Sequence, residues 1–208
     1  MSGSVDALAA ALEAGGVVLV PTDTVYGLAA ALDRPDGVAA LYEVKGRPRS
    51  QPCQVLLYAP ALLAEALAPL DGRTRAVAEA LLPGPATCLV PDPAGRFAAA
   101  AGVAAGSVGV RAPRLDGPLS ALGMFLVATS ANEPGEADPS SLGQVPARIR
   151  SAVAAELDIG PLPGTASAVV DLREVAAGGP ARLLRAGPDP TAVEAAVTSA
   201  GVQVARPG

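Results

Sequence analysis

Lys45 and Arg47, separated by Gly46 and followed by Pro48, set two cations on a short stiff segment where a helix should end. An arginine offers a planar fork of donors that matches phosphate or carboxylate, and a lysine offers a compact point charge. A basic pair in this place also complements the negative end of a helix, which is its ordinary use. Two further arginines close apolar runs: Arg111 in Gly109-Val110-Arg111-Ala112-Pro113 and Arg185 in Leu184-Arg185-Ala186-Gly187. Gathered at one edge of a sheet, Lys45, Arg47, Arg111 and Arg185 would form a cationic basin suited to an anionic small molecule such as a nucleoside triphosphate.

Hydroxyl and amide groups recur in the same kind of position. The apolar run Val17 to Val20 hands over to Pro21-Thr22-Asp23-Thr24-Val25-Tyr26-Gly27-Leu28, and Phe125 to Ala128 hands over to Thr129-Ser130-Ala131-Asn132. Ser167 stands just before the run Ala168 to Leu172. Such residues satisfy loop backbone, but the carboxyl ends of strands are also where α/β sheets place their sites. Neither a Gly-x-x-x-x-Gly-Lys-Ser/Thr loop nor a Gly-x-Gly-x-x-Gly is present. The chain has no His, which removes the commonest general base, the Ser-His and Cys-His pairs and most zinc sites.

The elements that must position these groups follow from capping and periodicity. Ser4 caps a helix from about Val5 to Ala14, and Asp36 is read as the cap of another in which Val38, Leu41 and Tyr42 form the inward stripe. Three residues further along that stripe lies Lys45, so its ammonium is expected to turn back toward the sheet. Strands are expected at Gln54 to Tyr58, Ala86 to Val90, Ser107 to Arg111, Phe125 to Ala128, Ala168 to Leu172, Arg182 to Leu184 and near Val202. Helices are expected at Pro60 to Ala68, Arg73 to Leu82, Ser141 to Leu157 and Pro190 to Ser199, with Pro91 to Gly106 read as loop. Alternating strands and helices over the whole length predict a single α/β domain, 1–208, built on one mixed sheet.

Composition narrows the function classes. Aromatic residues make up 2% of 208 residues and Trp is absent, so the core must be built from Ala, Val and Leu. Fifteen Lys and Arg against twenty Asp and Glu give a net charge of -5, which argues against direct tRNA or other nucleic-acid binding through a global basic field. No apolar run approaches the length of a membrane span and no export signal is recognised, so a cytoplasmic location is expected. Cys53 and Cys88 lack metal-ligand spacing and are expected to be buried thiols; no residue is assigned as a metal ligand.

Taken in order, these clusters resemble the YrdC-like family of threonylcarbamoyl-AMP synthases. The stretches that carry the resemblance are Pro21 to Leu28, Lys45-Gly46-Arg47-Pro48, Pro83-Gly84-Pro85-Ala86-Thr87, Val110 to Pro113, Ser130-Ala131-Asn132, Ser167 to Asp171 and Leu184 to Gly187. The resemblance implies a twisted mixed sheet with flanking helices and an open cationic cavity, in a short form without a further C-terminal domain. It implies a nucleotidyltransferase that makes threonylcarbamoyl-AMP and diphosphate from L-threonine, bicarbonate and ATP, with Mg2+ accompanying ATP. The adenylate would pass to a downstream tRNA threonylcarbamoyl transferase for N6-threonylcarbamoyladenosine synthesis.

Carried over by position, the resemblance makes Lys45 and Arg47 the catalytic cations, in contact with ATP phosphates. Thr22, Tyr26 and Arg111 fall to the amino-acid end, with Tyr26 as a wall of the cavity, and Ser130, Asn132, Ser167 and Arg185 fall to the nucleotide. Pro83 to Thr87 is expected to matter for backbone shape. Departures from the family pattern, Cys53 after Pro52, Pro134 after Glu133, Ala168 after Ser167 and the missing His residues, touch the amino-acid side and spare the cations. The alternative is a YrdC-like paralogue that binds nucleotide or RNA without efficient threonine-dependent synthesis.

Overall fold

The computed structural model describes residues 3–102 and 106–206. Ten strands form one mixed sheet in the order β10-β9-β8-β4-β5-β3-β6-β2-β1-β7. In chain order these are β1 (Val18–Pro21), β2 (Tyr26–Ala31), β3 (Gln54–Leu56), β4 (Ala86–Asp92), β5 (Gly106–Arg111), β6 (Leu126–Ser130), β7 (Ala155–Glu156), β8 (Ala168–Asp171), β9 (Ala181–Arg185) and β10 (Val204–Ala205). The helices are α1 (Val5–Glu13), α2 (Pro35–Lys45), α3 (Pro60–Leu67), α4 (Gly72–Leu81), α5 (Ala98–Ala101), α6 (Ala147–Ser151) and α7 (Pro190–Ser199).

The two faces of the sheet are covered unequally, and this creates the site. On one face Tyr26, Leu28 and Ala30 of β2 pack with Val38, Leu41 and Tyr42 of α2 in a core that extends to Val77 of α4 and Val197 of α7. On the other face a smaller core joins Leu8 and Leu12 of α1 to Ala29, Ala31, Leu126 and Ala128, closed by Leu119 and Leu122 of a 3-10 turn. Beyond that corner, the second face is left open from the Gly27 end of β2 across to Arg185 of β9.

Several sequence expectations are corrected. Residues 26–31 form a strand, so the polar stretch expected through Leu28 gives way to sheet at Tyr26. Tyr-Gly-Leu-Ala-Ala-Ala shows no polar alternation because β2 lies between β1 and β6 and is buried along its whole length. The helix expected from Ser141 to Leu157 is divided: a 3-10 turn at Leu142–Gln144, α6 beginning after Pro146, and β7 pairing in parallel with β1. Pro146 cannot donate to a continuing helix, and Ala155 and Glu156 instead pair with Val18 and Leu19. Finally, α2 starts at Pro35 with Arg34 as its N-cap, so Asp36 sits in the first turn, where its charge favours the helix dipole.

The Ser4 hydroxyl caps α1 as expected, by accepting from the Ala7 N–H at 3.1 Å. The stretch read as loop from Pro91 to Gly106 departs from that reading: β4 runs on to Asp92, Ala98–Ala101 form the single turn α5 and Gly106 opens β5, while residues 103–105 lie outside the described residues. Among the described residues no helix is long and apolar enough to cross a membrane.

Candidate active site

The open face holds a cavity of about 470 Å³ whose floor is sheet and whose rim carries Arg47, Arg111, Arg173 and Arg185. That volume falls within the range of small-molecule sites. Its lining residues come from different strands because alternate residues of each strand face the same way: Gln54 and Leu56 on β3, Thr87 and Leu89 on β4, Gly109 and Arg111 on β5, Ala128 and Ser130 on β6.

Arg47 reaches the cavity through a backbone device. Gly46 ends α2 with φ of 65°, and the Gly46 and Arg47 N–H groups return to the carbonyls of Glu43 and Tyr42, both at 3.0 Å. This left-handed cap throws Arg47 off the helix axis while Lys45 stays on it. The Arg47 guanidinium donates to the Thr129 hydroxyl at 3.1 Å and to Gln51 Oε1 at 3.0 Å. Arg185 donates through Nε to the Ser167 carbonyl at 2.7 Å and through Nη2 to the Ser167 hydroxyl at 3.2 Å. Among the described residues, neither Arg47 nor Arg185 has a carboxylate partner.

Arg111 is held differently. It is 1% exposed, and its guanidinium donates to the Gly84 and Ala86 carbonyls and forms an ion pair with Asp23. Asp23 in turn accepts from the Arg114 N–H at 2.8 Å. Burial pulls the Arg111 guanidinium down from its ordinary value, and the Asp23 carboxylate opposes that pull. The adjacent turn is closed by Thr22, whose hydroxyl donates to the Val25 carbonyl at 2.7 Å and accepts from the Thr24 and Val25 N–H groups at 3.1 Å.

Lys45 turns back toward the sheet as expected, but its ammonium does not line the cavity. Nζ donates to the Ser130 carbonyl at 2.8 Å and to the Asn132 carbonyl and Oδ1, each at 2.5 Å. Asn132 is likewise committed inward: Oδ1 also accepts from the Ser130 hydroxyl at 2.5 Å, and Nδ2 donates to the Glu136 carbonyl at 2.6 Å. The two residues thus fix the turn that presents Ser130, and neither is on the lining of the cavity. Burial, reinforced by the Arg47 charge, lowers the Lys45 ammonium to about 8.

Tyr26 is corrected from cavity wall to packed core. In β2 the side chains alternate, so Gly27 faces the cavity and Tyr26, fully buried, faces the closed side. Its hydroxyl donates toward Asp158 Oδ1 at 3.0 Å and the Gly160 carbonyl at 2.8 Å, and accepts from the Ile159 N–H at 3.1 Å. Thr22, Arg47, Arg111, Ser130, Ser167 and Arg185 of the expected set do line the cavity.

Sequence reasoning passed over Gln54, gave Thr87 a part in backbone shape alone, and passed over Asp138 and Arg173, all four on the lining. Period-two alternation could have found the first two: Gln54 and Thr87 are polar residues on strands whose next residues, Val55 and Cys88, are buried. Arg173 follows β8 and is paired with Asp171 at 2.6 Å. Cys53 and Cys88 are buried free thiols, raised above the ordinary thiol range chiefly by burial. Among the described residues no group of three or more His, Cys, Asp or Glu is placed to hold a metal ion.

Fold and site together define an α/β protein with one sheet face opened into an arginine-rimmed cavity of nucleotide dimensions. The chain belongs to the Sua5/YciO/YrdC family, described as Telomere recombination, whose sequence model matches residues 10–187. It is 34% identical over 145 residues to the threonylcarbamoyl-AMP synthase of Halorhodospira halophila, covering 66% of this chain and 73% of the relative. It is 30% identical over 158 residues to the threonylcarbamoyl-AMP synthase of Bacillus subtilis, covering 74% of this chain and 45% of that protein. The structure of P. abyssi Sua5 complexed with L-threonine superposes with a TM-score of 0.77 at 26% identity, covering 95% of this chain and 58% of that one. The chain therefore spans about half the length of two of these three relatives.

Proposed function

We propose that this chain synthesises threonylcarbamoyl-AMP and diphosphate from L-threonine, bicarbonate and ATP. The observation that carries the reading is that Arg47 and Arg185, which among the described residues have no carboxylate partner, both line a cavity floored by hydroxyls and small residues. Relatives named for this activity and a threonine-bound structural neighbour support the choice of substrates.

In this reading the amine of threonine and bicarbonate give a carbamate and water. A carbamate oxygen then attacks the α-phosphorus of ATP, forming the acyl-phosphate bond as the bond to diphosphate breaks. No side chain becomes covalently attached, which suits a chain with no His. Arg47 and Arg185 are set to balance charge on the polyphosphate and on the departing diphosphate. The Ser130 and Ser167 hydroxyls orient the nucleotide, while the Thr22 turn and Arg111 shape the amino-acid end. Positioning supplies most of the acceleration.

The donor set does not fit a resident magnesium ion, since among the described residues Asp138 is the carboxylate on the lining and no acidic cluster accompanies it. Mg2+ is accordingly assigned to the triphosphate as part of the substrate, and no step is routed through a protein-held metal. The product is assigned to a downstream transferase that modifies tRNA.

Diphosphate release from ATP and bicarbonate, compared with threonine, serine or glycine, tests the reading. Release stimulated by threonine is expected. ATP binding without stimulation by any amino acid would replace the synthase with a nucleotide-binding paralogue.

A further inference from the structure

The middle of the cavity floor carries a side chain whose orientation is settled by its neighbours. Gln54 of β3 lies directly opposite Gly109 of β5 and Ala128 of β6, so nothing bulky flanks it. Gly109 matters here because a Cβ at that position would stand 3.2 Å from Thr87 Cγ2 and 3.5 Å from Gln54 Cβ. With glycine in between, the Thr87 hydroxyl of β4 reaches over β5 to Gln54 Oε1 at 3.0 Å. The same hydroxyl lies 3.0 Å from the Ser167 hydroxyl, which accepts from Arg185 Nη2 at 3.2 Å.

The Thr87 hydroxyl donates to Gln54 Oε1, so its oxygen takes the proton of the Ser167 hydroxyl, which in turn accepts from Arg185. This turns the Gln54 N–H2 group away from Thr87, and among the described residues no protein atom accepts from that nitrogen. Leu56, the next residue on the same face of β3, stands directly opposite Arg111 of β5. A ligand that covers the floor strips water from this donor, and the loss is made good only if the ligand supplies an acceptor.

We infer that Gln54 is a substrate-binding residue whose amide N–H2 donates to an acceptor atom of the nucleotide, with Thr87 as the residue that positions it. The inference rests on the synthase reading above. The shared chemistry is a hydrogen-bond acceptor, supplied either by the base and ribose or by a phosphate oxygen.

The test is steady-state diphosphate release with ATP and threonine varied separately. Gln54→Leu is expected to raise the KM for ATP about tenfold while the KM for threonine stays within about twofold. Gln54→Glu, which also sets a negative charge among the arginines, is expected to raise the ATP KM further. Thr87→Val should raise the ATP KM about threefold, and Thr87→Ser, which keeps the hydroxyl, should restore it. Adenosine and inorganic triphosphate as competing ligands separate the two sources, because Gln54→Leu weakens inhibition by only the one that carries the acceptor. An ATP KM within twofold of wild type in both Gln54 variants overturns the assignment and leaves the synthase reading standing. Equal rises for ATP and threonine also overturn it, marking a general change of the floor. A wild-type chain that neither binds ATP nor releases diphosphate overturns both readings.

Discussion

The carboxylate-paired arginine of the cavity and its two arginines without such a partner use the same side chain for opposite purposes. Arg111 is buried with its charge spent on Asp23 and its remaining donors on the Gly84 and Ala86 carbonyls. Arg47 and Arg185 are braced by hydroxyl, amide and carbonyl oxygens that neutralise nothing. A cation paired with a carboxylate contributes shape and loses most of its field, whereas one held by neutral oxygens keeps its field and a defined direction. The anionic part of a ligand therefore belongs with Arg47 and Arg185, and Arg111 is built for fit.

The strongest way to break this contrast is to remove the paired cation. Arg111→Met leaves Asp23 without its ion pair, and a stability loss of about 3–5 kcal/mol is expected from chemical denaturation. A denaturation midpoint equal to wild type would show that the pair is not structural. Arg47→Ala, by contrast, is expected to lower threonine-dependent diphosphate release about 100-fold while stability changes by less than about 0.5 kcal/mol. Turnover near wild type would remove Arg47 from the site.

The contrast sharpens with pH. Lys45 is charged below about 8 and loses its proton above it, releasing the carbonyls that shape the Ser130 turn. The sign is a loss of kcat/KM as pH rises through about 8, roughly tenfold per unit once past it. Lys45→Arg, which stays charged, should flatten that limb whatever its absolute rate, and an unchanged limb would assign it to another group. The smallest effect is expected at Tyr26→Phe: about 1 kcal/mol of stability from the lost hydroxyl contacts, with the KM for threonine within twofold. A selective rise in that KM would return Tyr26 to the amino-acid end.

Much of this architecture is legible in the chain because its signals are local. Ser4 capping α1, the valine-rich strands and the apolar stripe of α2 all act within a few residues. The helix expected over 141–157 fails because Pro146 and the pairing of Ala155 with Val18 outweigh the composition of that stretch, and the pairing spans more than a hundred residues. Of the four cations expected in the cavity, Arg47, Arg111 and Arg185 line it and Lys45 does not. Which of them keeps its charge free depends on what stands opposite, Asp23 for Arg111 and the Ser130 and Asn132 oxygens for Lys45, and those partners are distant in sequence. The places of Gln54 and Thr87 depend on which face of the sheet each side chain occupies, which composition does not fix.

The left-handed Gly46 makes neighbours into residents of different compartments: one cation becomes a beam behind the sheet and the next a hand in front of it. Length at this joint is thus a tighter constraint than charge. Inserting one residue between Lys45 and Arg47 would preserve every basic group in the sequence yet uncouple the framework of the Ser130 turn from the guanidinium that works beside it.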